Sequence, residues 1–395
     1  MEVAILGVGT VGGTVARFLA KSKYVDKLLL ADINEARARE IKSKIESDAI
    51  WVEKVDANDR KMLGKIARGK DLIINATVPD HNLKIMDAAF NAGSNYLDFV
   101  GGGPFDRTKT KEQLALSDQW IKRGLLAVTG LGVSPGITNL IAGRAYDELD
   151  ELVELHVKCY GGGSVIVKPH WISPTFSPGT LIDEGISPPV VYRNEQYESV
   201  ESLSGEETFN FPEKLGPLKT WFFHHDEVET FPRFLGKKGL RYVDFRYAFH
   251  PKVYKVLEVF KALGLNSREK VKVRGIKVAP RDLILSLLPE PSDLAGKFRG
   301  ITCIGVEAVG SKGSREVHLF EYTVMYHQEA WKKCGCNGTT YVTAMPTVLF
   351  TEFLAQRKID QKGAVPPEAL DPKPFFEAFH SVGIPIKRVD LTKPN

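Results

Sequence analysis

The stretch Val3-Ala4-Ile5-Leu6-Gly7-Val8-Gly9-Thr10-Val11-Gly12 decides the fold of the first part of the chain. Its four apolar residues predict a buried strand, and a G-x-G-x-x-G turn follows them directly. Such a turn uses its first glycine for a tight bend, its second for close approach to a pyrophosphate, and its third for helix–strand packing. We therefore predict a dinucleotide site with contacts from Gly7, Gly9, Thr10, Val11 and Gly12.

An acidic residue ends the second predicted strand. Asp32 follows Gly12 at the interval of roughly 20 residues that is expected of a ribose-binding carboxylate. That carboxylate accepts hydrogen bonds from ribose hydroxyls and repels a 2′-phosphate, so we predict NAD as the cofactor. Arg37 and Arg39 lie just behind it and leave NADP possible. The alternative is a structural strand–turn–helix with an unrelated acid.

Residues 1–135 alternate buried apolar runs with amphipathic segments, which is typical of a parallel sheet covered on both faces. We predict an α/β fold class, with an N-terminal doubly wound Rossmann domain. An apolar helix at about 341–359 is expected to return to this domain, so that residues 341–395 complete it. The further predicted strands lie at 72–75, 96–100 and 125–129.

Two more strand ends are candidates for the cofactor site, because ligands of open α/β sheets bind at the carboxyl ends of the strands. Val55 and Asp56 follow the third predicted strand, and Val78 follows the fourth. Asp56 could bond the adenine amino group or cap a helix, and the sequence leaves both interpretations open.

Residues 136–340 have a different pattern, with alternating apolar and polar residues between turns rich in Gly, Pro and Asn. The clearest example is a hairpin of two runs, 303–309 and 317–322, joined by a turn at 311–314. We predict a second α+β domain with a mostly antiparallel sheet, which serves as a substrate platform and pairs two subunits into a homodimer.

Composition excludes several classes of protein. The formal net charge is only +4, with no concentrated basic stripe, so we expect no nucleic-acid partner. No stretch approaches the ~20 apolar residues that cross a bilayer, so we expect no membrane partner. Four cysteines cannot form a disulfide framework, and Cys334 and Cys336 lack a second ligand pair, so we predict no metal site and a cytoplasmic location.

The chain resembles the saccharopine dehydrogenase-like family, which includes saccharopine reductase, lysine 6-dehydrogenase and carboxynorspermidine dehydrogenase. Besides the glycine turn, four motifs carry the resemblance over nearly the whole chain. They are Gly130-Leu131-Gly132-Val133-Ser134-Pro135-Gly136 followed by Asn139, Asp244-Phe245-Arg246-Tyr247 with His250, Val278-Ala279-Pro280-Arg281-Asp282, and Val365-Pro366-Pro367-Glu368.

The resemblance implies positions for several site residues. Val133 and Pro135 would line the nicotinamide end of the cofactor, and Ser134 would reach the substrate there. Ser177 would enter from the second domain, within a loop at about 171–180 that could act as a lid. One departure is His225 and its neighbours, which stand where saccharopine reductases place an arginine after a Pro-Asn pair. This weakens the case for saccharopine, a substrate with three carboxylates.

The implied reaction is oxidation or reduction of a C–N bond, which needs a carboxylate anchor and a group that exchanges a proton with nitrogen. Asp244 and Arg246 are the predicted substrate contacts, since a guanidinium matches a carboxylate. His225, His250 and Asp98 are the predicted catalytic residues, because each could titrate near neutrality. The acidic run Asp226, Glu227 and Glu229 could bind a distal ammonium or form a solvated loop.

The sequence therefore predicts an NAD(P)-dependent oxidoreductase whose substrate is lysine or a lysine-derived secondary amine. The overall layout is most similar to that of lysine 6-dehydrogenase. Two alternatives remain open at this point: a saccharopine or carboxynorspermidine dehydrogenase, and a catalytically inactive protein that binds or senses a dinucleotide.

Overall fold

The computed structural model describes residues 1–102, 108–163 and 171–392. Its strands are β1 Glu2–Leu6, β2 Lys27–Asp32, β3 Ile50–Lys54, β4 Leu72–Asn75, β5 Asn95–Asp98, β6 Leu126–Val128, β7 Glu151–Gly163, β8 Val190–Arg193, β9 Gln196–Ser199, β10 Glu207–Phe211, β11 Gly216–Phe222, β12 Tyr242–Ala248, β13 Val271–Val273, β14 Ile276–Val278, β15 Gly300–Lys312, β16 Arg315–Tyr326, β17 Gly363–Val365 and β18 Lys387–Asp390. Its α-helices are α1 Thr10–Leu19, α2 Glu35–Ser43, α3 Arg60–Ala67, α4 Asn82–Ala92, α5 Lys109–Leu114, α6 Ser117–Lys122, α7 Ile137–Glu148, α8 Pro178–Ile186, α9 Glu227–Leu235, α10 Pro251–Ala262, α11 Pro280–Leu287, α12 Pro291–Leu294, α13 His327–Cys334, α14 Gly338–Ala355 and α15 Lys373–Phe379.

The first sheet is parallel and, within the described residues, has seven strands in the order β17-β6-β5-β4-β1-β2-β3. Its central strands are buried on both faces because their side chains are apolar at successive positions, and this confirms the predicted doubly wound Rossmann fold. The strands end together, since Leu6 pairs with Ala31 and Asn75, and Asn75 pairs with Asp98. The residues that follow these ends therefore share one edge.

The second sheet runs in the order β10-β11-β12-β7-β15-β16-β18, with β8 attached to β12 and β9 attached to β8. The predicted hairpin is the long antiparallel pair β15–β16, and its turn contains Gly313 in a positive-φ conformation. All neighbouring pairs on this path are antiparallel except β7 and β12, which are parallel. The sheet is mostly antiparallel, as predicted.

The two faces of the second sheet differ in chemistry. One face belongs to the main apolar core, to which β7, β12 and β15 contribute Leu155, Val157, Phe245 and Val306 together with residues of α7, α8 and α9. The opposite face, called the outer face below, has a smaller apolar cluster that includes Ala248, and ion pairs lie beside it. Because side chains alternate along a strand, successive residues of a strand place their side chains on opposite faces of the sheet.

The segment after residue 340 returns to the first sheet and then leaves it again. α14 packs on α1, where Phe18 and Tyr341 meet edge to face with their ring centroids 5.8 Å apart. β17 then pairs with β6 in the first sheet. β18, however, pairs with β16 of the second sheet, because Arg388 reaches the fully buried carboxylate of Glu321 on β16. The division of the chain at 135 and 340 stays a prediction.

Candidate functional site

The glycine turn between β1 and α1 is constrained by its backbone contacts. Gly7 has φ +87°, and a Cβ atom there would lie 2.6 Å from the carbonyl oxygen of Ala76. A Cβ atom on Gly12 would lie 2.1 Å from the carbonyl oxygen of Gly7. Both separations are impossible for real atoms, so these two positions require glycine for the fold itself.

Gly9 differs from its two neighbours, because a Cβ atom there would meet nothing within 4 Å. The first bond of α1 joins Gly13 N–H to the Gly9 carbonyl, so the N–H groups of Thr10, Val11 and Gly12 precede the helical ladder. Free N–H groups and the positive end of the helix dipole favour an anion at this place. The turn therefore fits the pyrophosphate of a dinucleotide.

Asp32 stands beside this turn at the end of β2. Its Oδ2 accepts a hydrogen bond from Val8 N–H at 2.6 Å, and its Oδ1 accepts one from Asn34 N–H at 2.8 Å. The carboxylate is half-buried and adjoins the open space above Gly9, as a ribose-binding acid requires. Arg39 forms an ion pair with Glu35 on the surface of α2, so the charge of Arg39 is balanced within that helix.

The other predicted cofactor residues lie along the same edge. Val55 is buried and donates its N–H to the Asp32 carbonyl at 3.0 Å. The carboxylate of Asp56 accepts from Asn58 N–H at 2.8 Å, whereas α3 is capped by Asp59. Val78 is 57% exposed at the end of the β4 loop. Their contacts with a cofactor stay predictions.

Asp98 ends β5 and is only 1% exposed. Its carboxylate accepts hydrogen bonds from Tyr96 Oη at 2.8 Å, Gln113 Nε2 at 2.6 Å and Gly130 N–H at 2.8 Å. Burial raises the pKa of Asp98 to about 7, although these donors oppose the shift. The carboxyl group anchors the loop that follows β6, and this enclosure gives no support to its predicted role as a base that touches substrate.

The acidic run at the start of α9 joins the two halves of the structure. Asp226 Oδ2 accepts a hydrogen bond from Gly101 N–H at 2.7 Å, and Glu229 Oε2 accepts one from the Thr108 hydroxyl at 2.6 Å. Asp226, Glu227 and Glu229 are 5%, 0% and 7% exposed. The interpretation of this run as a solvated loop is therefore wrong, because the carboxylates dock onto loops that follow β5 and precede α5.

Glu227 is the centre of a polar cluster in which four side chains meet. Its Oε1 accepts hydrogen bonds from the hydroxyls of Ser134 at 2.6 Å and Thr138 at 2.7 Å. Its Oε2 faces Nδ1 of His225, and the imidazole stacks on Phe245 with centroids 4.0 Å apart and planes 9° apart. The ring is thus fixed in position and orientation by one carboxylate and one aromatic face.

The cluster has strongly shifted protonation equilibria. Burial alone would lower the pKa of His225, but the adjacent Glu227 carboxylate outweighs it and raises the pKa to about 9. Burial alone would raise the pKa of Glu227, yet His225 and the two hydroxyls hold it below the usual value. Since a carboxylate only accepts, Nδ1 carries a proton and Nε2 is the atom that can exchange one. Nε2 makes no hydrogen bond to a described residue.

His225 therefore has the geometry of an acid–base residue held by an orienting carboxylate. Ser134, which follows β6 in the loop predicted to line the nicotinamide end, is part of the same cluster. In an open sheet of this order the dinucleotide spans the strand ends, with its ribose-binding acid at β2 and its second half toward β4–β6. The structure brings the predicted residues Ser134 and His225 together on that second half.

Asp244 and Arg246 are not part of this cluster. They lie on the outer face of β12, opposite to Phe245. Arg246 Nε donates to Asp244 Oδ2 at 2.7 Å, and His156 Nδ1 lies 3.0 Å from Asp244 Oδ1. The pair is held within the ion-pair network of the outer face, so its predicted contact with substrate has no support in this geometry.

His250 and Ser177 also lie apart from the cluster. His250 is exposed and caps α10, where its Nδ1 accepts from Lys252 N–H at 3.2 Å. Ser177 is exposed and caps α8, where its Oγ accepts from Thr180 N–H at 3.3 Å. Both act as helix caps in this structure, and their catalytic and substrate-binding roles stay predictions.

Sequence reasoning missed Glu184 altogether and did not predict the central position of Glu227. Glu184 lies on α8 between the apolar residues Ile182 and Ile186, and it is 9% exposed. A single carboxyl group on an apolar helix face was the available signal. The hydrogen-bond donors to Glu227, Ser134 and Thr138, lie about 90 residues away from it in the chain. No local sequence pattern indicates a contact over such a distance.

Within residues 1–102, 108–163 and 171–392, no helix is long and apolar enough to cross a membrane. No group of three or more His, Cys, Asp or Glu side chains there could hold a metal ion.

The fold and the site define a class of protein: an NAD(P)-dependent oxidoreductase with a Rossmann domain and a second, mixed-sheet domain. Residues 3–128 match the family described as saccharopine dehydrogenase NADP binding domain, and residues 132–384 match the family described as saccharopine dehydrogenase C-terminal domain. The chain belongs to the saccharopine dehydrogenase family.

Named relatives match almost the whole chain. A carboxyaminopropylagmatine dehydrogenase of Synechocystis sp. is 28% identical over 97% of this chain and 96% of its own length. A carboxynorspermidine synthase of Vibrio alginolyticus is 26% identical over 97% of this chain and 96% of its own length. The apo saccharopine dehydrogenase (L-Glu forming) of Saccharomyces cerevisiae has the same fold, with TM-score 0.75, 14% identity, and coverage of 99% of this chain and 100% of that one.

The glycine turn yields a matched pair of variants. Gly9→Ala should leave the melting temperature nearly unchanged, since its methyl group enters open space, but it should weaken NADH binding by about 1–3 kcal/mol, roughly 5- to 150-fold. Gly12→Ala should lower the melting temperature, because its methyl group meets the Gly7 carbonyl. Differential scanning calorimetry and NADH fluorescence titration measure the two effects. Unchanged NADH affinity in Gly9→Ala would contradict this assignment.

Proposed function

We propose that this oxidoreductase acts on the C–N bond of a carboxylate-bearing secondary amine and works in the reductive direction. The observation that carries the proposal is the pair of His225 and Glu227, in contact with Ser134 at the strand ends. A histidine with a pKa of about 9 is protonated at neutral pH and is therefore poised to give a proton. Reduction of an imine consumes one proton, whereas oxidation of an amine needs a base.

The identity of the amine is proposed from the named relatives. Their names describe carboxylated derivatives of polyamines, namely carboxyaminopropylagmatine and carboxynorspermidine. This favours a carboxylated polyamine, one of the alternatives that the sequence left open, and makes free lysine the second candidate. Both are amino-acid-derived amines, and the same site chemistry serves either one.

The residues of the cluster have different roles in the proposed reaction. A bound reduced nicotinamide supplies the hydride that reaches the imine carbon. Nε2–H of His225 gives the proton that the nitrogen takes up, while Glu227 stabilises the imidazolium and fixes its orientation. The hydroxyls of Ser134 and Thr138 hold the other oxygen of Glu227, so the carboxylate cannot rotate away from the ring.

The pH dependence follows from the pKa of His225. In the reductive direction kcat/KM should fall above about pH 9, because the His225 acid loses its proton. In the oxidative direction kcat/KM should rise toward pH 9. His225→Asn should lower kcat by about 10²- to 10⁴-fold and remove this limb of the profile. Steady-state assays follow NADH oxidation in the presence of an amine and a small carboxylic acid that carries an aldehyde group. They measure the change in kcat and the change in the pH profile.

The same assays on His250→Asn compare the two predicted histidines. The proposal expects that only the His225 variant loses kcat and the fall of activity above pH 9. The affinity of that variant for NADH should be unchanged. Loss in the His250 variant alone contradicts it. A wild-type protein that binds NADH but turns over no amine in either direction would favour the dinucleotide-sensing alternative.

We further propose that NAD is preferred to NADP, since the Asp32 carboxylate borders the space above Gly9 and repels a 2′-phosphate. Asp32→Asn keeps an acceptor for Val8 N–H but removes the charge, so discrimination against NADP should fall by about tenfold. Asp32→Ala also removes the acceptor and should weaken binding of both cofactors. Calorimetric titration with NADH and NADPH measures this, and an unchanged preference in Asp32→Asn would show that the charge does not select the cofactor.

We also propose that the protein is a cytoplasmic homodimer. Support for pairing comes from exposed apolar side chains on the small sheet of β13 and β14, where Val271, Val273 and Ile276 are 48%, 53% and 68% exposed. Sedimentation equilibrium measures the oligomeric state, and a monomer at micromolar concentration would contradict this part of the proposal.

A further inference from the structure

Glu184 is a buried acid whose carboxyl group has no hydrogen-bond donor among the described residues. It lies on α8, is 9% exposed, and its side chain makes no hydrogen bond to any described residue. Burial raises the pKa of Glu184 to about 8. A buried carboxyl group normally has its hydrogen bonds satisfied, because an unsatisfied one destabilises the fold. Its position therefore calls for a functional explanation.

The neighbouring acids all have hydrogen-bond or ion-pair partners within the protein. Glu227 is paired with His225, and Asp226 accepts from the N–H of Gly101. Asp183, the residue before Glu184, pairs with Arg281 and Arg268. Glu184 is the member of this group that receives no hydrogen bond on its side chain from the part of the chain that the structure describes. The titratable groups around it are Asp183 on its own helix, His225, Asp226 and Glu227 at the start of α9, Tyr247 on β12 and Cys159 on β7.

The location of Glu184 connects it to the proposed reaction. The carbonyl oxygen of Glu184 accepts a hydrogen bond from the N–H of His224 at 3.3 Å, which sets α8 beside His225, the residue proposed to give a proton to the reacting nitrogen. A second basic nitrogen of the same substrate would carry a positive charge at neutral pH and would give Glu184 the charged hydrogen-bond donor that it lacks. A substrate with one nitrogen would leave the carboxyl group buried and unpartnered.

We propose that Glu184 binds the distal ammonium of a diamine or polyamine substrate and selects such substrates over monoamines. This inference rests on the proposed function, because it takes the reacting nitrogen to lie at His225. The carboxyl group is mostly protonated at pH 7 when the site is free. An ammonium favours its ionised form, so amine binding releases the Glu184 proton to the buffer and becomes stronger as the pH rises toward 8.

The test is calorimetric titration of the NADH-bound protein at pH 7 with 1,3-diaminopropane and with propylamine, in two buffers of different ionisation enthalpy. The wild-type protein should bind the diamine about 10- to 100-fold more tightly than the monoamine. It should also release close to one proton for each diamine bound. In Glu184→Gln the preference and the proton release should both disappear, while NADH affinity stays unchanged.

Two further variants keep the test decisive. Glu184→Met places an apolar side chain of similar length in the buried site and should give the same losses if Glu184→Gln folds poorly. Asp183→Asn changes the adjacent carboxylate, which is 39% exposed and already paired with arginines, and should keep the preference for the diamine.

The outcomes separate this inference from the proposed function. A preference for the diamine that survives in both Glu184 variants overturns the role of Glu184, even if the enzyme reduces imines. No measurable binding of the diamine to the wild-type protein also overturns it. Diamine binding with proton release that depends on Glu184, in a protein that turns over no amine, supports the subsite and contradicts the proposed reaction.

Discussion

The buried carboxylate of Glu227 is the interaction on which the rest of the site depends. It joins α9 to the loop after β6 through Ser134, to α7 through Thr138, and to the imidazole of His225. A buried ion that lost one of these partners would be strongly destabilised, so the arrangement tolerates little rearrangement. The same contact that docks α9 onto the strand ends therefore also orients the imidazole of His225, the proposed proton donor.

A second buried acid extends this constraint to the cofactor edge. Asp98 holds the start of the loop after β6 through Gly130, while Asp226 holds Gly101 after β5 and Glu229 holds Thr108 before α5. Buried carboxylates thus align the end of the first sheet with the start of α9. The site is assembled by acids that receive backbone and hydroxyl donors.

The cofactor half of the site could be predicted from sequence because its residues contact one another within a short segment of the chain. Gly7, Gly12 and Asp32 lie within one strand–turn–helix–strand unit, and their spacing reflects contacts inside it. The substrate half depends on contacts between distant segments. In Asp244-Phe245-Arg246-Tyr247 both sets of alternating residues contain polar or amphipathic side chains, so the pattern does not reveal which face the helices cover. An acidic run such as 226–229 is normally solvated, and only the tertiary structure shows it to be buried.

The position of β17 has a consequence for how the protein is made. This strand pairs with β6 at the border of the first sheet, although 234 residues separate Val128 from Gly363. A nascent chain that has just completed β6 therefore exposes an open parallel edge until β17 has been synthesised. Open edges recruit other strands, and such distant pairings form slowly. The growing polypeptide thus passes through a long interval in which chaperone protection of that border favours correct assembly.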